Sequence, residues 1–365
     1  RAGVSGLVIL DSPDSEVPEA DRFAEAPHPA AMLSLVGHTA AEAEILGAIA
    51  SGRMHHAWLI SGEPGIGKAT FAYRIARFLL AHAGHEQEAA GRAATLDVPP
   101  GLAVAHQIAA QAHPDLAVIR RGLDDKRKAL KTEIAVSDVW RGLDVFLKTA
   151  SGGGYRICIV DCCDELNANG ANALLKMLEE PPVNGLFLLI ANRPGRLLPT
   201  IRSRCRSLKL RGLAPEEVAS VTMGLPGYGD QPAEVHARAA ALAHGSVQEA
   251  LAVLDATMLA FHDRLDAVLA SLPELDGQAT DAIAEACAGK TGREMFHRFC
   301  ESCLHWLSAR LAEHSESPAA RLALTEAWSA LNSGRIEVDV YNLDRRPFVF
   351  SVFETLAGAA RAIAR

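Results

Sequence analysis

One stretch constrains this chain more than any other. Ala57 to Phe71 reads AWLISGEPGIGKATF, and within it Gly62 to Lys68 spell G-x-x-x-x-G-K. The apolar run Trp58-Leu59-Ile60 ahead of the loop predicts a buried strand. Ala69 to Leu80 follows with apolar residues at helical spacing. Strand, glycine-rich turn and helix is the context in which this string cradles phosphate, because backbone N–H groups and a helix N-terminus converge on the anion. Gly62, Gly65, Gly67 and Lys68 are therefore candidate nucleotide-binding residues, with Lys68 a point charge for the β/γ-phosphates. One position departs from the pattern. Where a Ser or Thr would offer Mg²⁺ a hydroxyl, the chain has Ala69. Thr70 comes next, but one helical residue is a turn of about 100°, which aims its hydroxyl elsewhere. The site reads as degenerate.

Composition narrows the setting. A chain of 365 residues, 49% apolar and 22% charged, has material for roughly two or three globular domains. A net charge of -8 argues against a surface wholly devoted to nucleic acid. The odd count of 7 cysteines, several inside apolar runs, suits a reducing cytoplasm. Cys300-x-x-Cys303 has half the spacing of a zinc site but no second pair, so it reads as two small apolar residues on one helix face, and no metal is expected. With no secretory signal and no 18-residue apolar span, the expectation is a cytoplasmic protein without a membrane anchor. The chain starts at Arg1 rather than Met, which leaves its true N-terminus open.

Arg1 to Ala31 is spotted with proline and acid and reads as an extended tail. Thr39 and Glu42 have the spacing of a capping box for a helix to Ala50. His82 to His113, rich in Ala, Gly and His, reads as an insertion whose histidines are solvated. Asp115 to Ile119 is a strand, and Ile134 to Lys148 a helix with Ser137 as its cap. Tyr155 to Asp161 is a buried strand ending in a carboxylate. Ala171 to Glu180 is a helix stopped by Pro181-Pro182, and Leu186 to Ala191 is another strand. Such alternation predicts a parallel sheet with helices on both faces. Beyond about Leu210 every segment reads as helical, with a turn at Pro226–Gly229, a small helical domain to about Leu275 with Pro273 and Gly277 near its end, and later breaks at His314–Pro318 and Gly334–Asp344. The last segment, from Pro347, puts Phe348, Val352, Leu356 and Ala359 on one face.

Three further strings carry chemistry. Ile157 to Asp161 has the form of a Walker B strand, whose Asp would hold Mg²⁺ through water. The next residue is Cys162, where an active ATPase of this kind has a Glu to orient the attacking water. A general base is worth about 10²–10⁴ in rate, so its loss predicts slow or absent hydrolysis. Asn172 to Pro182 reads NALLKMLEEPP, and Leu198 to Cys205 reads LPTIRSRC.

With the phosphate loop, these strings in this order resemble the clamp-loader AAA+ subunits of bacterial DNA polymerase III. The resemblance covers Leu35 to about Leu254 by motif and the remaining helices by architecture only. It implies an α/β fold: an AAA+ P-loop (RecA-like) parallel-sheet domain at 32–210 after a tail at 1–31, a small helical lid at 211–278, and an all-helical C-terminal collar at 279–365. It implies that Arg204, in Ser203-Arg204-Cys205, is an arginine finger acting in trans on a neighbour's ATP. A plain basic loop of Arg202, Arg204 and Arg206 is the alternative. Asn192 falls at the sensor-1 position, although Asn-Arg-Pro-Gly also suits an ordinary turn. Gln248 stands where sensor 2 has an Arg and offers no charge. Some members carry a four-cysteine zinc module after the phosphate-loop helix; here 82–113 has no cysteine. Lys176 is a candidate DNA-phosphate contact, or simply part of an exposed face; Leu174, Leu175 and Leu178 are core.

Ala69, Cys162 and Gln248 together place the chain with the family's non-hydrolysing members. The implied function is a stator that helps load the sliding clamp onto primed DNA. Its partners would be the gamma/tau and delta subunits, and through them the clamp and primer-template DNA. No cofactor is required, with weak ATP or ADP binding open. The alternative is an active ATPase of gamma/tau type, resting on Gly62, Gly65, Gly67, Lys68 and Asp161.

Overall fold

The structure is a computed structural model and describes residues 7–11, 22–23, 26–124, 129–147, 149–289, 292–314 and 316–363. The chain divides into two units, Arg1–Leu254 and Asp255–Arg365.

The first unit opens with α1 (Thr39–Ala50), β1 (Ala57–Ser61) and α2 (Lys68–Ala81), followed by the short helices α3 (Glu86–Arg92) and α4 (Ala103–Ala109). Then come β2 (Leu116–Ile119), an antiparallel pair of two-residue strands, β3 (Leu123–Asp124) and β4 (Ala129–Leu130), then α5 (Val136–Leu143), β5 (Arg156–Val160) and α6 (Ala168–Glu179). Next are β6 (Gly185–Ala191), the single turn α7 (Pro199–Arg202) and β7 (Arg206–Lys209). Three lid helices close the unit: α8 (Pro215–Gly224), α9 (Ala233–Leu242) and α10 (Val247–Val253).

Five strands pair in parallel in the order β2-β5-β6-β1-β7. Every residue of β1 and β6 is buried. That is why the strands read as unbroken apolar runs, since a sheet covered on both faces has no wet side to alternate with. Trp58, Ile60, Ile159 and Leu188 meet Phe71, Ile75 and Phe78 of α2 on one face. Leu59, Cys158, Val160 and Leu189 meet Val139 of α5 and Leu174 and Leu178 of α6 on the other, with Leu175 partly buried beside them. The loops leaving β1, β5 and β6 gather at the C-terminal edge of the sheet, where open α/β folds bind ligands.

Several local expectations change. His38, in the left-handed region, precedes α1 and makes no side-chain cap; Thr39 is the first helical residue. The Glu42 carboxylate goes instead to buried Arg74 at 2.6 Å and to the Leu96 N–H at 2.7 Å. Ser137 is inside the first turn of α5, because Ile134 is taken up in a strand-like bridge to Leu166 and the helix starts late. Lys148 lies outside the described residues. α6 starts at Ala168, three residues before the predicted Ala171, and Asn167 caps it, accepting from the Gly170 N–H at 2.8 Å. The 82–113 stretch forms α3 and α4 and sends Leu96, Val98 and Ile108 into the core. Part of the expected tail is packed: Ala26, Ala30 and Ala31 are buried, and Arg77 of α2 donates to the Ala30 carbonyl at 2.6 Å. Within the tail, 1–6, 12–21 and 24–25 lie outside the described residues.

The second unit is helical: α11 (Ala256–Ser271), α12 (Gly277–Cys287), α13 (Arg293–Glu313), α14 (Pro318–Tyr341) and α15 (Arg345–Ile363). Its core joins Phe261 and Leu265 of α11, Phe299, Cys300 and Cys303 of α13, and Val352, Phe353 and Leu356 of α15. The expected break at Gly334 does not occur. Gly334 is an interior residue of α14, where a Cβ would strike the Phe348 ring; the helix ends at Asn342 in the left-handed conformation. No helix among the described residues is long and apolar enough to cross a membrane.

Candidate nucleotide site

The loop after β1 turns through Gly65 (φ +73°) and Gly67 (φ +95°), a region glycine enters without a Cβ penalty. α2 begins at Lys68, so its free N–H groups face the turn. Lys68 is buried and donates to the Glu63 carbonyl. Burial lowers its pKa, opposed by the neighbouring Cys162, Asp161, Asp164 and Glu63. His38 donates from Nε2 to the Ile66 carbonyl at 2.7 Å, pinning the loop from α1. Nothing in the sequence singled out His38 for this.

Asp161 is buried at the end of β5. Cys162 follows in the left-handed conformation, and burial first, then the Asp161 carboxylate, push its thiol pKa far up. The thiol is thus neutral at pH 7 and no substitute for a carboxylate base. Asn192 donates from Nδ2 to the Cys162 sulfur at 3.4 Å. Asp164 accepts from the backbone N–H groups of Asn192 at 3.1 Å and Arg193 at 3.0 Å, so the loops after β5 and β6 are tied together.

These parts meet at one cavity of about 230 Å³. Gly65, Gly67, Lys68, Thr70, Asp161 and Asn192 all line it, and so do Ala69, Cys162 and Gln248. Gly62 does not; it lets the loop pass the end of β7, since a Cβ there would meet the Leu210 carbonyl. Among the described lining residues Lys68 is the single cation. Much of the remaining lining is apolar, including Leu35, Val36, Leu213 and Val221, with Leu7 and Pro29 of the N-terminal segment. A cavity that combines an anion cradle with a largely apolar lining suits a nucleotide. Asp161 remains as an Mg²⁺ partner, but Ala69 brings no oxygen, so the set does not complete an Mg²⁺ site. Among the described residues no three His, Cys, Asp or Glu side chains converge as a metal site.

The lid stands directly on the loop. The Val247 N–H, at the start of α10, donates to the Gly65 carbonyl at 3.0 Å. A Cβ on Gly65 would collide with Ser246 and Gln248.

Arg204 is absent from this cavity's lining. It sits in the turn between α7 and β7, about a third exposed, with Nη1 donating to the Thr200 carbonyl at 3.0 Å and Nη2 to Glu179 at 2.8 Å. Arg206, by contrast, is committed to its own fold: it pairs with Glu44 at 2.8 Å and lies over the Trp58 ring at 4.7 Å. Lys176 is exposed on α6.

A phosphate loop leaving the central part of a five-stranded parallel sheet, with carboxylate and polar residues on the neighbouring strands and a helical lid against the loop, defines a P-loop NTPase domain of the AAA+ kind. Residues 37–214 match the family described as DNA polymerase III, delta subunit. It is 34% identical over 193 residues to the DNA polymerase III subunit delta' of Pseudomonas aeruginosa, covering 52% of this chain and 53% of that one. It is 32% identical over 171 residues to the subunit delta' of Bacillus subtilis, covering 46% and 45%. Identity to the subunit gamma/tau of Mycobacterium tuberculosis is 30% over 197 residues, 53% of this chain and 31% of that one. The chain spans about half the length of the delta' relatives it matches.

Proposed function

We propose that this chain is a non-hydrolysing stator subunit of a DNA polymerase III clamp loader, supplying Arg204 to the ATP site of a neighbouring gamma/tau-type subunit. The observation that carries the reading is that Ala69, Cys162 and Gln248 line one cavity. The metal hydroxyl, the water-orienting carboxylate and the second cation are missing from the same site. Arg204 lies outside that cavity, with its guanidinium at the surface. Charge spreads over the phosphoryl oxygens during transfer, and an arginine supplied across an interface is worth about 10³–10⁵ in rate at that site. In a loader reconstituted from this chain and its gamma/tau and delta partners, Arg204→Ala should sharply lower clamp- and DNA-stimulated hydrolysis while assembly persists. Unchanged hydrolysis would overturn the finger. Turnover of ATP by the purified chain at about 1 s⁻¹, lost in Lys68→Ala, would favour the gamma/tau-type alternative.

The helical second unit is the proposed collar. Leu322, Ile336 and Val340 of α14, with Leu343 just beyond it, are more than half exposed. Apolar side chains repeated along a helix face support a protein contact. Deleting 255–365 should abolish co-purification with the other subunits; a complex that survives the deletion would refute the collar. Clamp and primer-template DNA would be met through the complex, with exposed Lys176 offered to phosphate, in the cytoplasm.

A second reading concerns the cavity itself. Its buried lysine and largely apolar lining support static nucleotide binding without turnover. Calorimetry with ATP or ADP, with and without Mg²⁺, should give weak binding insensitive to the metal. Binding that requires Mg²⁺, or none at all, would remove this reading and leave the stator role standing.

A further inference from the structure

Two carboxylates, Glu179 and Glu180, close α6. The C-terminal end of a helix carries a partial negative charge, so acids there are locally unfavourable and cations are preferred. A local rule broken in this way needs a compensating partner. For Glu179 the partner is Arg204, at 2.8 Å between Oε1 and Nη2. The finger's backbone is held firmly: the N–H groups of Ser203 and Arg204 donate to the Pro199 and Ile201 carbonyls at 2.9 and 3.1 Å. With Nη1 on the Thr200 carbonyl, the guanidinium is docked between the carbonyl of α7 and the carboxylate of α6. Both charged side chains remain over a third exposed, at 36% and 43%, so the pair is reachable from outside.

We propose that Glu179 is an electrostatic latch on the arginine finger, an inference that rests on the reading of Arg204 above. A phosphate oxygen from a neighbouring chain must compete for the same guanidinium edge, and while the carboxylate stays in place it repels that phosphate. At rest Glu179 neutralises the finger; when the neighbour's triphosphate is driven against it, the guanidinium exchanges carboxylate for phosphate. Glu179 is a positioning residue that acts through Arg204. The latch is weak by construction, because an exposed pair of this kind holds its partners by no more than a factor of about five.

The test uses the reconstituted loader with the full-length chain, measuring ATP hydrolysis before and after adding clamp and primed DNA. Glu179→Gln keeps size and hydrogen bonding but removes the charge. It should raise the unstimulated kcat about two- to fivefold, the range an exposed pair allows, with KM for ATP unchanged. Combining it with Arg204→Ala should give the rate of Arg204→Ala alone. Glu179→Asp should return the unstimulated rate towards the original, and Glu180→Gln should leave it where it was. An unchanged or lowered rate in Glu179→Gln, or an equal rise in Glu180→Gln, overturns the latch. If Arg204→Ala lowers hydrolysis while Glu179→Gln raises nothing, only the latch falls. If Arg204→Ala itself changes nothing, the finger reading falls first.

Discussion

Arg74 is the residue on which the first unit's polar interior turns. Its guanidinium is buried, pairing with Glu42 at 2.6 Å and Asp97 at 2.8 Å and donating to the Leu33 carbonyl. One side chain of α2 thereby ties together α1, the loop after α3 and the segment leading into α1. Removing Glu42 leaves the buried guanidinium only Asp97, whose side chain is largely exposed, as its carboxylate partner. Glu42→Ala should therefore cost about 3–5 kcal/mol, read as a fall in the denaturant midpoint with the slope unchanged. A loss below 1 kcal/mol would mean that Asp97 alone suffices. Glu42 also shows where sequence reading stops at this scale. Its position three residues after Thr39 suggested a capping box, but spacing along a helix says nothing of a partner 32 residues away. His38 and Glu179 escaped for the same reason. Lys68, Asp161, Asn192 and Gln248 were singled out by their places relative to strings read in order, and the structure brings all four to the lining of one cavity.

At the scale of elements, the lid is held by backbone against backbone. Gly245 (φ +87°), two residues before α10, packs on Gly212 and Leu213, and the Leu213 N–H donates to its carbonyl at 3.0 Å. A Cβ at Gly245 would meet main-chain atoms that cannot swing aside, and the left-handed conformation alone costs a non-glycine residue about 1–2 kcal/mol. Gly245→Ala should thus destabilise the first unit by about 2 kcal/mol or more and speed hydrogen exchange in α10 before α2. Equal protection in the two helices would show that the lid is held elsewhere. The entry to β1 carries a pH dependence. His55 and His56 stack at 4.3 Å, and His56 donates to the Leu178 carbonyl. Burial, then the neighbouring His55, lower the His56 pKa, and burial lowers those of His113 and His236. The unfolded chain therefore binds protons that the folded chain refuses. Stability is full above the unfolded value of about 6.5 and falls as pH drops below it. The thermal midpoint of the first unit should decline from pH 7 to pH 5, and His56→Gln should flatten part of that decline. Strands and long helices were legible because burial on both faces, or on one, writes a plain period. The starts of α5 and α6 and the uninterrupted α14 were not, since Ile134–Leu166 pairing and the Phe348 ring beside Gly334 are tertiary facts.

At the scale of the molecule, the division into two units runs through a stretch whose punctuation suggested otherwise. Pro273 and Gly277 marked an end to the lid near 278, yet the first unit closes at Leu254. Turn residues show where an element stops; they do not show which core a helix serves. α11 serves the second core, with Phe261, Leu265, Val268 and Leu269 packed among Ile283, Phe299 and Phe353. That assignment can be tested by where the chain is cut. A fragment 255–365 keeps every residue of this core and should fold alone. Its unfolding should be two-state, with an enthalpy of about 60–80 kcal/mol, as for other domains of about 100 residues. A fragment 279–365, cut at the apparent punctuation, loses the α11 side chains. Removing several large apolar groups at once costs more than the roughly 5–15 kcal/mol by which a domain is stable. It should keep helical circular dichroism while melting without cooperativity and binding hydrophobic dye. If the two fragments melt alike, α11 contributes nothing to that core and the boundary belongs near 278.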